Sequence, residues 1–291
     1  MCSGLSLRLR AIAGSAVLTI VESSVCMNMD TATSQSSRRG WRFSSLDGVG
    51  NALAADISAL CGVRLGGQSR PMNTVQTIAV YLLPVLFGIT VHEAAHGWAA
   101  WRLGDDTARL AGRLTLNPLR HIDPLGTVAM PLLLYFLTSG NFVFGYAKPV
   151  PVNFRRLRNP RRDTALVALA GPASNFIQAF FWGLLFVVLL LLGVREPFFL
   201  FMCRAAISIN LVLLALNLFP LPPLDGGRIL ISVLPPRAAI ALARVEPWGF
   251  FIVMAFIASG LLSDIWMRPV MKASEFVISV LLKPAYMLLP H

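Results

Sequence analysis

The sequence predicts an α-helical polytopic membrane protein with about 4–6 membrane segments and short edge β-strands near its one cluster of chemically reactive residues. Three observations carry that prediction. Hydrophobic residues make up 56% of the 291 positions and charged residues only 13%, about half the charge of a soluble globular protein, with a mean hydropathy of +0.67. Several apolar runs approach the roughly 20 residues that a bilayer-spanning helix requires. The net charge of +11 comes mostly from basic residues in the first 71 positions and in short connections between apolar runs, a topology signal rather than a nucleic-acid groove. The four cysteines include no C-x-x-C pair, so neither a disulfide framework nor a thiolate metal site is indicated.

Residues 1–71 are rich in Ser, Gly and Arg, lack Lys, and contain one apolar stretch, 11–21, too short to span. They read as a disordered or targeting head. Met72 is an alternative start, because organised sequence begins at Asn73. Residues 72–291 then form a membrane-embedded domain. From Thr74 an apolar helix is long enough to cross, with Pro84 as a kink. Residues 128–137 are apolar for only ten positions and contain Pro131, which fits a re-entrant or interfacial segment. Long apolar runs follow at 164–192 and 197–219, and a shorter span at 248–262. Residues 270–289 are interrupted by Lys272, Glu275, Lys283 and Pro284. Aromatic and β-branched residues at 110–116 and 142–152, punctuated by Gly112, Gly145, Pro149 and Pro151, suggest short edge strands. The 148–162 connection carries Lys148, Arg155, Arg156, Arg158, Arg161 and Arg162 against no acid, so it is expected on the cytoplasmic side.

The residues with chemical content are His92, Glu93 and His96, in the order H-E-A-A-H. Positions i and i+4 share one helix face, so both imidazoles can reach one metal ion while Glu93 stands beside it. Zinc is the usual occupant. With four His and five Glu in the chain, the motif arises by accident in about 1 sequence in 1,000. Ionisable groups are costly at the end of an apolar span unless paired or coordinated. Catalytic zinc takes three protein ligands and keeps one position open. His121, Asp123, Asp225, Glu246 and Asp264 are candidates for the third. Asp225 is preferred: prolines stop the preceding helix, and Gly226 and Gly227 permit a tight backbone approach. If 128–137 does not cross, two crossings also return Asp225 to the side of the histidines.

At these residues the chain resembles the site-2 protease family of zinc intramembrane metalloproteases. The resemblance runs over about residues 74–235 and rests on HEAAHGWAAWRLGD, GRLTLNPLRHIDPLGT, GYAKPVPVN, GPASN and NLFPLPPLDGGR. It implies that His92, His96 and Asp225 bind one Zn²⁺ per chain and that Glu93 activates water. It also implies that Asn175 and Asn217 contact substrate. No segment looks like an inserted PDZ domain, so the chain resembles the compact members. The expected activity is hydrolysis of a peptide bond in a membrane-spanning or membrane-adjacent segment of a protein or peptide substrate. The expected surroundings are the lipid bilayer, without nucleic acid, in a bacterial inner membrane with the site near the cytoplasmic side. An edge strand at 110–116 or 142–152 would hold the substrate extended. His121 is expected to have a structural or water-contacting role. One rival is a prenyl-protein-processing type of membrane zinc protease, with Glu246 as third ligand. Another is an ion-binding transporter, in which Glu93→Gln would preserve function.

Overall fold

Organised structure starts with a reciprocal cap. The Gln76 amide donates to Asn73 Oδ1 at 2.8 Å, and the Asn73 amide donates to Gln76 Oε1 at 3.0 Å, satisfying two of the amides that a helix start leaves free. In this computed structural model, which describes residues 73–120 and 148–289 together with Asp123, Ala129, Leu133 and Phe136, the cap opens helix α1 (Thr74–Arg102). The head at 1–71, His121, residues 142–147 and, those isolated positions apart, the 128–137 segment lie outside the described residues.

After α1 a single helical turn, α2 (Thr107–Leu110), and a 3₁₀ turn at Pro118–Arg120 lead away from the apolar region. Helix α3 (Pro160–Leu191) begins four residues before the apolar run, with Pro160 in the first turn, where its missing N–H costs nothing. Helix α4 (Pro197–Asn217) returns, also with proline in its first turn. It is followed by α5 (Asp225–Val233), α6 (Pro236–Ala243) and α7 (Glu246–Ala258). A π-helical stretch, Leu262–Met267, runs directly into α8 (Arg268–Tyr286). Among the described residues, α1 from Ile78, α3 and α4 are long and apolar enough to cross a membrane. The α6–α7 pair, bent by 69°, adds a fourth candidate if it is counted as one broken span.

The expected strand at 110–116 is not formed: α2 ends at Leu110, and Gly112, at φ +64°, turns the chain. No strand occurs among the described residues. The physical reason is that β-branched and aromatic content marks a half-buried pleat only where a neighbouring strand supplies the hydrogen bonds. Leu110 and Leu116 are exposed, and no such neighbour lies beside them among the described residues. The described part of the second expected strand, 148–152, belongs to a non-helical strap, residues 148–153, lying against α1. Three bonds fix it and its continuation: Val150 N–H to Glu93 Oε2 at 2.9 Å, Asn153 N–H to Asp105 Oδ2 at 2.6 Å, and Arg158 N–H to the Leu103 carbonyl at 3.1 Å.

Helices α1, α3 and α4 pack on one another around Val80, Ala179, Ile209, Leu211, Val212 and Ala215. Small residues in that set let helix axes approach closely, which is how apolar helices associate in lipid. The outward faces carry Phe87, Phe181, Phe199 and Phe251, all exposed. Water penalises contiguous apolar surface of this kind, whereas lipid chains solvate it.

Candidate metal centre and catalytic site

At a rise of about 1.5 Å per residue, His92 lies about 27 Å along α1 from its start. One helical turn separates it from His96, and the two Nε2 atoms stand 3.0 Å apart. His96 Nδ1 donates to the Val167 carbonyl of α3 at 2.7 Å. Pro172 lacks the N–H that would bond the Ala168 carbonyl, which loosens α3 at this turn. The bond to Val167 fixes the tautomer and leaves a lone pair on His96 Nε2. Gly171 faces the same place. A Cβ there would sit 2.3 Å from His96 Nε2 and 2.6 Å from His92 Cε1, so only a residue without a side chain lets α3 close over the imidazoles.

Asp225 arrives from the opposite direction as the first residue of α5. The chain turns sharply after α4, and a Cβ on Gly226 would lie 2.2 Å from the Leu218 carbonyl oxygen. The glycine therefore allows the start of α5 to press against the end of α4 and aim the carboxylate inward. Asp225 Oδ2 stands 3.3 Å from both His92 Nε2 and His96 Nε2.

These three atoms fit a metal ion. A tetrahedral zinc with N and O bonds of about 2.0–2.1 Å separates its donors by about 3.3–3.4 Å, close to the 3.0 to 3.3 Å between these atoms. The chemistry agrees. Asp225 Oδ2 is buried and receives no hydrogen bond from the described residues, and His96 Nε2 is an acceptor in the tautomer set by Val167. With His92 Nε2 also unprotonated, as a metal ligand must be, three electron pairs converge on one point that only a cation neutralises. Among the described residues this is the one such His/Cys/Asp/Glu group.

A family model described as peptidase family M50 matches residues 193–260, which include α4 and Asp225. YwhC of Bacillus subtilis is 38% identical over 189 residues, which cover 62% of this chain and 80% of that protein. Rip2 of Mycolicibacterium smegmatis is 32% identical over 195 residues, 65% of this chain and 70% of that protein. Rip2 of Mycobacterium tuberculosis is 31% identical over 221 residues, 73% and 77% respectively. Each of the three is named as a zinc metalloprotease. The chain belongs to peptidase family M50. No solved structure matches it significantly.

The other residues singled out in this M50 chain take different positions. Asn175 is fully buried on α3, one turn beyond Gly171. Gln178 Nε2 lies 3.4 Å from Asn175 Oδ1, and Asn175 Nδ2 has no hydrogen-bond partner among the described residues. Asn217 ends α4 and donates to the Leu213 carbonyl of its own helix at 3.0 Å. Glu246 pairs with Arg228 at 3.6 Å and Asp264 with Arg268 at 3.0 Å, so neither carboxylate joins the histidines. Asp123 is half-buried and also stands outside the cluster.

Three features were missed in the sequence. The fully buried Asp105 accepts from Thr107 N–H at 3.0 Å and from the Thr107 hydroxyl while it holds Asn153 N–H. An Asp two residues before a Thr is a readable turn signal. The contact between Val150 and Glu93 has no local signal. Gln178 and Asn210 are buried polar residues of the apolar spans that also passed unnoticed, and Gln178 Nε2 lies 3.4 Å from the Gly88 carbonyl.

Proposed function

We propose that this chain is a zinc-dependent endopeptidase that hydrolyses a peptide bond in a membrane-spanning or membrane-adjacent segment. The observation that carries the reading is the convergence of His92 Nε2, His96 Nε2 and Asp225 Oδ2 within 3.3 Å of one another, with Glu93 on the same helix. His92, His96 and Asp225 hold the ion, and Glu93 is the general base. Bound zinc makes water acidic enough to react near neutral pH and polarises the scissile carbonyl. Glu93 accepts a proton from the attacking water and passes it to the leaving amine. The backbone of a spanning substrate is hidden in its own helical hydrogen bonds, so the segment unwinds before attack. Asn175 and Asn217 contact the unwound backbone.

The substrate is a membrane protein or peptide and the surrounding phase is the bilayer. Arg-rich, Lys-poor composition supports a bacterial inner membrane. The basic connection that enters α3 supports a site near the cytoplasmic face. Residues 72–291 form the membrane-embedded protease domain, and 1–71 a head outside it. Reconstitution in vesicles with single-span substrates, comparing native protein and Glu93→Gln while measuring bound metal, tests the assignment. Glu93→Gln keeps one zinc per chain and abolishes cleavage. Cleavage that persists in Glu93→Gln would remove Glu93 as the general base, and a native protein that binds the ion without cleaving would return the transporter or scaffold reading.

A further inference from the structure

We infer that the backbone amide of Val150, presented between two prolines, is the positioning group for Glu93: it holds one carboxylate oxygen so that the other faces the reacting water. The inference rests on the protease reading above and adds a residue to it. Val150 is buried, with a fractional exposure of 7%, and its N–H lies 2.9 Å from Glu93 Oε2. Glu93 is on α1, whereas Val150 belongs to the strap, so this bond is imposed by tertiary structure and not by helix geometry. Pro149 and Pro151 have no N–H. Val150 is therefore the sole amide donor of the Pro-Val-Pro triplet, and Glu93 occupies it. An extended segment that lends its one donor to the base cannot also form a regular donor-and-acceptor ladder with a substrate strand at these residues.

The strap is itself held. Asn153 N–H is bound by the fully buried Asp105, and Arg158 N–H by the Leu103 carbonyl. At its centre, the Val150 side chain packs over Gly97, where a Cβ would stand 3.0 Å from Val150 Cγ1. Gly97 lies one turn beyond Glu93 on α1, so the close approach allowed by this glycine is what brings the amide down to the carboxylate. A carboxylate aimed in this way needs no reorientation when the substrate arrives.

The test uses the full chain in vesicles with a cleavable single-span substrate. Val150→Pro removes the amide hydrogen, and Val150→Thr keeps it together with the branched shape. The expected result for Val150→Pro is one zinc per chain, kcat lower by about 100-fold and KM within about twofold, since misplacing a catalytic group by about 1 Å costs that much. Val150→Thr restores most of kcat. A native kcat in Val150→Pro, a loss confined to KM, or equal losses in both variants overturns the inference. Hydrogen exchange at Val150 decides the matter independently, including the case in which Val150→Pro fails to fold. The prolines isolate this amide, and in Glu93→Ala it should exchange at least about tenfold faster than in native protein, because its acceptor is gone. Unchanged exchange would refute the contact. Failure of the protease reading itself looks different: the native protein would then leave the substrate intact, whatever Val150 does.

Discussion

The two halves of the metal cluster are built by different means. His92 and His96 meet because four residues of α1 bring two side chains onto one face, a consequence of the helical period that needs nothing from the rest of the chain. Asp225 meets them only because α5 starts hard against the end of α4, with glycine at the contact. The first half survives wherever α1 remains a helix. The second can be lost through residues that never touch the ion, and this asymmetry is open to measurement.

The largest effect is expected from removing the ligand itself. Asp225→Ala should weaken zinc binding by more than the 10–100-fold that losing an outer-shell partner costs, as read by competition with a chromophoric chelator. Near-native affinity would dissolve the comparison, because the cluster would then not need its second half. Next come two changes of one methyl group each. Gly226→Ala drives a Cβ into the Leu218 carbonyl at 2.2 Å, and it should reduce zinc affinity by about 10–100-fold through displacement of Asp225. Ala95→Gly, between the two histidines, should cost only about 1 kcal/mol of helix stability and leave zinc affinity within a few fold. Equal zinc losses in this pair would show that both halves depend alike on packing.

Gly249→Ala sharpens the picture further out. Its Cβ would lie 1.8 Å from the Pro222 carbonyl oxygen, so α7 buttresses the turn that leads to Asp225. A destabilisation of about 1–3 kcal/mol is expected, seen as a lower Tm in detergent, with a smaller effect on zinc than Gly226→Ala. The smallest change should come from Phe251→Ala on the outer face of the same helix. That ring is 64% exposed, and its removal should alter stability by no more than about 0.5 kcal/mol and leave the metal content unchanged.

Much of the helical layout was legible. Apolar runs of spanning length located α3 and α4, Asn73 marked the start of α1, and Pro197 opens α4 where the apolar run begins, whereas Pro160 opens α3 four residues ahead of its run. The edge strands expected at 110–116 and in the described part of 142–152 do not form, because local composition does not say whether a partner strand exists. In the strap, Pro149 and Pro151 remove the donors a ladder would need, and the one that remains is bound to Glu93. Buried Asp105 and Val150 escaped for a related reason: their partners, Asn153 and Glu93, lie far along the chain.

By itself the sequence determined that this is a helical chain with runs long and apolar enough to cross a membrane and with a pair of helix-borne imidazoles beside a carboxylate, since hydropathy and the 3.6-residue period act over short stretches of chain. The prolines and glycines around Asp225 already marked it as the preferred carboxylate, but only the tertiary structure decided that it stands 3.3 Å from both imidazoles and that the Val150 amide grips the glutamate. Both depend on how closely separate backbones approach, as at Gly97 and Gly226, and that distance is set by partners far along the chain.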